Sequence, residues 1–181
     1  MFEIGGRMKT LVLLMLLVFI APVACGQTMT IKLFFPNTKL SEVDCGAKVF
    51  PVTRTIPKTT AVARAALEQL FAGPTSEEKA KGFYSDFSEE TKSFFFSVNV
   101  KNKAAYVNLR DPTATPAMGN FTTSCGGSNF FGQVENTLKQ FTAIKKVFFA
   151  IKGDPSLFYD WMQIGECPKE LKNCDASNFI K

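Results

Sequence analysis

Polar and apolar residues alternate along Met29-Thr-Ile-Lys-Leu-Phe-Phe35, with Ile31, Leu33 and Phe35 on one side. That period of two predicts a half-buried strand, stopped by Pro36-Asn37. A polar stretch, Asn37 to Lys48, carries Cys45. Val49 to Ile56 is rich in β-branched residues and predicts a second strand, which Pro51 assigns to an edge or a bulge. The period then changes. Ala61 to Ala72 carries Val62, Ala66, Leu67, Leu70 and Phe71 on one helical face, with Thr59 or Thr60 as its cap. Gly73-Pro74 ends that helix in the favoured order. Thr75-Ser-Glu-Glu78 has the form of a capping box and opens a short helical turn closed by Gly82.

Alternation returns over Ser93 to Val100, which places Phe94, Phe96, Val98 and Val100 on one face. After a turn at Lys101-Asn102-Lys103, Ala105, Val107 and Leu109 point inward, which completes a hairpin. Arg110 to Ser128 reads as a long loop, of a length that in compact domains usually serves function. A second helix is expected over Asn129 to Lys146, with Val134, Leu138 and Phe141 on its core stripe. Val147 to Lys152 predicts a last strand, ended by Gly153-Asp154-Pro155, and the tail beyond it reads as loop. The order is β-β-α-β-β-α-β. Its economical packing is a single two-layer α+β domain, a mixed sheet with both helices on one face.

The N-terminus has a different pattern. Lys9 precedes an unbroken apolar run, Leu11 to Val23, and small residues follow at Ala24-Cys25-Gly26. Basic, apolar and small parts in that order are a secretory signal, and the run is too short to span a bilayer. Residues 1–26 are therefore expected to be a leader, with Met8 an alternative start to Met1. Val23-Ala24-Cys25-Gly26 also fits the end of a bacterial lipoprotein signal, with Pro22 where Leu is usual. Lipidation at Cys25 and plain cleavage after Gly26 both remain open.

Composition narrows the chemistry. About 155 residues remain after the leader, one domain by ordinary size. The chain holds 19 Phe, expected mostly as core, and no His, so the commonest general base and metal ligand are missing. The net charge of +5 is dispersed over Arg54, Lys58, Arg64, Lys101, Lys145 and others, without the basic run of a nucleic-acid arm. Five cysteines stand at 25, 45, 125, 167 and 174. Export favours disulfides. Without Cys25, four cysteines allow three connectivities; pairing Cys167 with Cys174 across a short loop leaves Cys45 for Cys125. A metal site would lack both His and any CxxC pair.

Three segments together carry a family resemblance. They are Ile31-Lys-Leu-Phe-Phe-Pro36, then Val52-Thr-Arg-Thr-Ile56 running into Ala66-Leu-Glu-Gln-Leu-Phe-Ala-Gly-Pro-Thr-Ser-Glu-Glu78, and Ala105-Tyr-Val-Asn-Leu109. The chain resembles the GerMN domain over residues 29–153, most specifically in Leu-x-x-Gly-Pro-Thr-x-x-Glu. Residues 154–181 then form a C-terminal extension. The resemblance implies an exported envelope protein or lipoprotein acting through contacts rather than catalysis, in envelope assembly or sporulation, and it brings no catalytic residues. It differs from the tandem members of that family in holding one copy and extra cysteines.

Three functions follow. The first is a non-enzymatic envelope module that binds a protein or peptidoglycan partner, uses no cofactor or metal, and meets the membrane only through a lipid at Cys25. Its site is expected on the Arg110–Ser128 loop, with Arg54 and Trp161 nearby. The second is a glycan hydrolase that works with two of Asp86, Glu89, Glu90, Asp111 and Asp160. The third is a subunit that self-assembles through the edge at Val49–Ile56. Mass spectrometry of the native N-terminus is expected to find Met1 to Ala24 removed. A lipidated Cys25 establishes the anchor, an unmodified Gln27 start excludes it, and an intact Met1 or Met8 refutes export.

Overall fold

The computed structural model describes residues 26–41, 48–114 and 116–179. The apolar leader, Cys25 and Cys45 lie outside them. Strand β1 (Thr28–Phe35) pairs antiparallel with β2 (Phe50–Pro57). Strand β3 (Phe95–Lys101) pairs antiparallel with β4 (Ala104–Leu109), and β4 pairs parallel with β5 (Lys146–Ile151). The class is α+β, with strand boundaries close to those expected. The single sheet, however, is corrected to a two-stranded sheet and a mixed three-stranded one. The cause lies on the outer edge of β1. The Lys32 N–H donates to Gln140 Oε1 (2.9 Å), the Phe34 N–H donates to Thr137 Oγ1 (3.1 Å), and Gln140 Nε2 donates to the Lys32 carbonyl (2.6 Å). Side chains of a helix end thus take the bonds a neighbouring strand would have made.

The helices are α1 (Val62–Phe71), α2 (Ser76–Ala80), which is the short helical turn expected there, α3 (Ser124–Lys139) and α4 (Pro155–Trp161), which was not expected. At α1 the cap is Ala61, which makes no side-chain bond; the Thr59 hydroxyl accepts the Ala61 N–H instead. The capping box forms as read, with Thr75 Oγ1 accepting the Glu78 N–H and Glu78 Oε2 accepting the Thr75 N–H. Helix α3 starts before Asn129 because Thr123 Oγ1 caps it through the Gly126 N–H (3.0 Å). It stops before Lys146 because that residue joins β5 opposite Ala104. The expected loop from Arg110 to Ser128 is therefore mostly 3-10 turns, Pro112–Ala114 and Pro116–Thr122, and the first turn of α3. Helix α4 lies in the tail that the sequence reads as loop. Asp154 accepts the Ser156 N–H (2.8 Å) and Pro155 opens the first turn, so the same residues start a helix.

The hairpin also differs in its faces. A bulge between Phe95 and Ser97 brings Phe95 into the core and leaves Phe96 43% exposed, against the face it was expected to share with Phe94; Val98 packs against the core as expected, and Val100 on the same side is 42% exposed near the hairpin turn. Strand β4 lies between β3 and β5 and is buried along its whole length. On its helix side the core is aromatic. Phe130 is fully buried, with the rings of Phe71, Phe87, Phe121, Phe131, Phe149 and Phe158 centred 5.4 to 6.4 Å away. On the other side the tail returns over the sheet. Phe179 packs edge-on against Tyr106 (5.3 Å), and the Asn178 carbonyl accepts from Asn99 Nδ2 (3.0 Å).

One ion pair joins the two-stranded sheet to the helices. Arg54 shares the inner face of β2 with Val52 and Ile56, and its side chain is 12% exposed. Nε and Nη2 donate to the two oxygens of Glu78 (3.0 and 2.6 Å). Nη2 also reaches the Gly73 carbonyl (2.8 Å), and Nη1 reaches the Gln69 carbonyl (3.1 Å). Gly73 has φ +76°, and a Cβ there would lie 2.1 Å from the Phe87 carbonyl oxygen, so no other residue fits. Burial by itself would raise the Glu78 pKa. The bonds from Arg54 and Thr75, with the guanidinium charge, outweigh it and hold the carboxyl below its ordinary 4.5.

Because the folded pKa is lowered, the stability Glu78 contributes is complete above its unfolded pKa and is lost as pH falls through the folded one. Arg54→Met, which strands the carboxylate, is expected to cost about 3 kcal/mol in urea unfolding at neutral pH. That cost should shrink in acid, and the R54M/E78Q pair should cost less than the sum of its members. Equal costs at neutral and acid pH would show that Arg54 acts by packing alone.

The extension is stapled by Cys167–Cys174, with Cα atoms 5.6 Å apart. Cys125 is also disulfide-bonded; its expected partner, Cys45, lies outside the described residues. Closing so short a loop is worth about 2.5 kcal/mol by chain entropy. Replacing Cys167 and Cys174 together by Ser is expected to lower stability by about 2 kcal/mol. Non-reducing peptide maps should contain the 167–174 and 45–125 pairs; a 45–167 link would refute both.

Candidate functional site

Strands β4 and β5 run parallel and leave the sheet side by side, β4 into Arg110-Asp111 and β5 into Lys152-Gly153. Buried Asn108 ties the two exits together, its Oδ1 accepting the Gly153 N–H (2.8 Å), while the Lys152 N–H donates to the Leu109 carbonyl (2.8 Å). Both residues take left-handed backbone, φ +54° at Lys152 and +84° at Gly153. For lysine this conformation is strained, and the neighbouring bonds hold it there.

A groove of about 530 Å³ opens beside these exits, lined by the apolar Phe96, Leu109 and Phe179 and by the charged Arg110, Asp111 and Lys152. It lies at the C-terminal ends of parallel strands, where α/β sheets commonly take ligands. Arg110 is held from three directions. Its N–H donates to the Phe94 carbonyl (2.8 Å) and its Nε to the Ser93 carbonyl (3.0 Å). The guanidinium lies 4.7 Å from the centre of the Phe96 ring. Among the described residues neither Nη has an acceptor, so a planar two-donor edge is fixed in place and unused. Lys152 Nζ is 3.7 Å from Asp111. The hydroxyl and N–H of Thr113, both donating to Asp111 Oδ1 (2.7 and 3.0 Å), and the Lys152 charge hold that carboxyl below its usual range.

The residues singled out in the sequence are scattered. Arg54 is committed to Glu78 and the α1–α2 turn, on the other sheet. Trp161 ends α4 and packs against Phe94 (5.6 Å) and Phe158 (6.1 Å), half-buried in the aromatic core. The proposed loop contributes Arg110, Asp111 and Ala114 to the groove. Asp86 accepts from Asn120 and Glu89 pairs with Lys92, so these carboxylates are engaged locally. Phe96 and Lys152 were missed. The sequence assigns Phe96 to the core through its period, and a Lys-Gly pair at a strand end is the only hint at Lys152. Among the described residues no group of His, Cys, Asp or Glu could hold a metal, and no helix is long and apolar enough to cross a membrane.

Comparison with known proteins gives one family and one set of structures. Residues 32–157 match the family model described as Germane, sporulation and spore germination. The structure is similar to the tandem GerMN domains of the sporulation protein GerM from Bacillus subtilis, with 19% identity and a TM-score of 0.48 over 70% of this chain. This chain spans 40% of that one. It is also similar to the first GerMN domain of the same protein, with 22% identity and a TM-score of 0.45 over 69% of this chain and 84% of that one. Among curated proteins none matches. With the family model covering more than half of its length, this chain belongs to the Germane family of sporulation and spore germination domains.

Proposed function

We propose that this protein is an exported, non-enzymatic module of the bacterial cell envelope that holds a protein or glycan partner in the groove at the ends of β4 and β5. It would do so in envelope assembly or a sporulation-type process. The observation that carries this is Arg110. Its guanidinium is fixed by Ser93 and Phe96 and presents an unused two-donor edge beside an apolar lining. Such preorganisation lowers the entropic cost of binding. Export rests on the leader through Val23, and retention at the envelope on lipid at Cys25. The dispersed charge favours no nucleic acid.

The two other functions have less support. A glycan hydrolase needs a carboxyl that stays protonated near neutral pH, and Asp111, the candidate in the groove, is shifted the opposite way. Self-assembly through β2 meets Pro51 and Pro57 in that strand.

Phe96→Ala and Arg110→Ala should each weaken capture of the partner, from envelope extract or by sedimentation with purified sacculi, by about tenfold or more. Both side chains are exposed, so melting temperature should move by no more than about 2 °C. Unchanged capture by both variants would move the site elsewhere. Release of soluble glycan fragments that Asp111→Asn abolishes would overturn the non-enzymatic assignment.

A further inference from the structure

The open edges of the two sheets are not protected alike. Helix α3 covers β1 through Gln140 and Thr137. On β2 the Lys58 N–H bonds to the Gln27 carbonyl (2.8 Å), which with the strand register turns positions 51, 53, 55 and 57 outward. Two of these are Pro51 and Pro57, which have no N–H to offer. On β5 the outward Ile151 N–H is taken by the Asp154 carbonyl (3.0 Å), and the Phe149 N–H by the Tyr159 phenol, a group whose burial pushes its pKa up to about 12.

Strand β3 has no such device at its centre. Asn102 (φ +51°) and Lys103 (φ +61°) form a two-residue turn of the type in which the flanking pair, Lys101 and Ala104, is hydrogen-bonded. The bonded pairs then alternate, Asn99 with Tyr106 next, so Val98 and Val100 turn their N–H and C=O groups away from β4. Among the described residues these groups have no partner. On the same edge the Phe96 carbonyl is already taken by Arg64 (3.1 and 3.3 Å). An apolar groove of about 330 Å³ runs beside Val98 and Val100, walled by Val62 at the start of α1 and by Phe141 and Ala143.

We propose that this edge receives an extended segment of another protein, which adds a short strand to β3 and places one apolar side chain in the groove. Only an extended backbone matches alternating donors and acceptors at strand spacing, and an apolar groove alongside selects the side chain. Charge selects the flanks. Arg64, whose charge is shared with Glu68 (3.2 Å), stands at one end of the edge. Lys101, Lys103 and Lys145 belong to the other end, where Lys145 bonds through its N–H to the Lys103 carbonyl and Lys101 Nζ donates to Asn178 Oδ1 (3.2 Å) near Asp175. A second copy of this chain would bring like charges together, whereas acidic residues flanking the apolar one complement them. This surface is separate from the Arg110 groove.

The probe is a blocked heptapeptide, Asp-Thr-Val-Thr-Val-Thr-Asp, with a counterpart in which Lys replaces Asp, and the readout is amide exchange of the labelled protein by NMR. Saturating acidic peptide should slow exchange at Val98 and Val100 by about tenfold, and the lysine peptide should bind about tenfold more weakly. Val100→Pro removes an outward N–H and none of the β3–β4 bonds, so it should abolish both effects while the rest of the hairpin stays protected. Val100→Glu, at an exposed position, should do the same by repulsion should the proline variant not fold. Arg110→Ala should leave peptide binding unchanged. Absent binding, unaltered exchange at Val98 and Val100 in the complex, or equal affinity for the lysine peptide overturns the proposal. Protection that grows with protein concentration alone also overturns it, in favour of pairing between copies.

Discussion

Arg54 and Glu78 form the contact on which the arrangement of the N-terminal half depends. A guanidinium on the inner face of a strand is costly unless every donor finds an acceptor. Here those acceptors come from the end of α1, the turn after it and the start of α2. The strand therefore has one favourable position against the helices. Glu78 has two partners, closing the capping box on Thr75 while neutralising Arg54. The Gly-Pro-Thr-x-x-Glu segment is thus a structural junction. Gly73 supplies the left-handed turn and a carbonyl for Arg54, Thr75 starts the next helix, and Glu78 ties both to the sheet.

The division into two sheets has consequences for the surface. With β1 bonded to the end of α3, the three-stranded sheet ends at β3, and its edge is left with the Val98 and Val100 backbone groups outward. At the opposite end of the sheet, the parallel exits of β4 and β5 are pulled together by Asn108. The strained backbone at Lys152 follows from that closure, and the cost is offset by a buried hydrogen bond and by the neighbouring ladder. The two candidate surfaces of this molecule therefore derive from where sheet pairing stops, rather than from a set of reactive side chains. That fits a chain with no His.

Much of the molecule was legible in its sequence. The periods placed β1, β2, α1, the β3–β4 hairpin and β5 to within a few residues. The capping box at Thr75, the Gly73 stop and the Cys167–Cys174 staple also formed as read. All of these are local: they depend on steric preference, on hydrogen bonds three or four residues apart, or on a short loop. Even the missed start of α4 was present as Asp154-Pro155, a signal that a turn and a helix share.

What only the tertiary structure decided was which distant surfaces meet. Gln140 replaces a strand beside Lys32 across 108 residues of sequence, and no local pattern says that a helix end will fill a sheet edge. The bulge at Phe95 sets Phe95 opposite Leu109, in the place the period assigns to Phe96, so Phe96 is exposed while Val98 beyond it keeps its expected side. The sequence offers Arg54 as a residue near the binding site; the fold pairs it with Glu78 instead. Arg110 and Lys152 meet at one groove because parallel pairing, which needs a long crossover, brings the ends of β4 and β5 together. Sequence sets local conformation through short-range forces, while edges, faces and grooves depend on contacts that exist only once the chain has closed on itself.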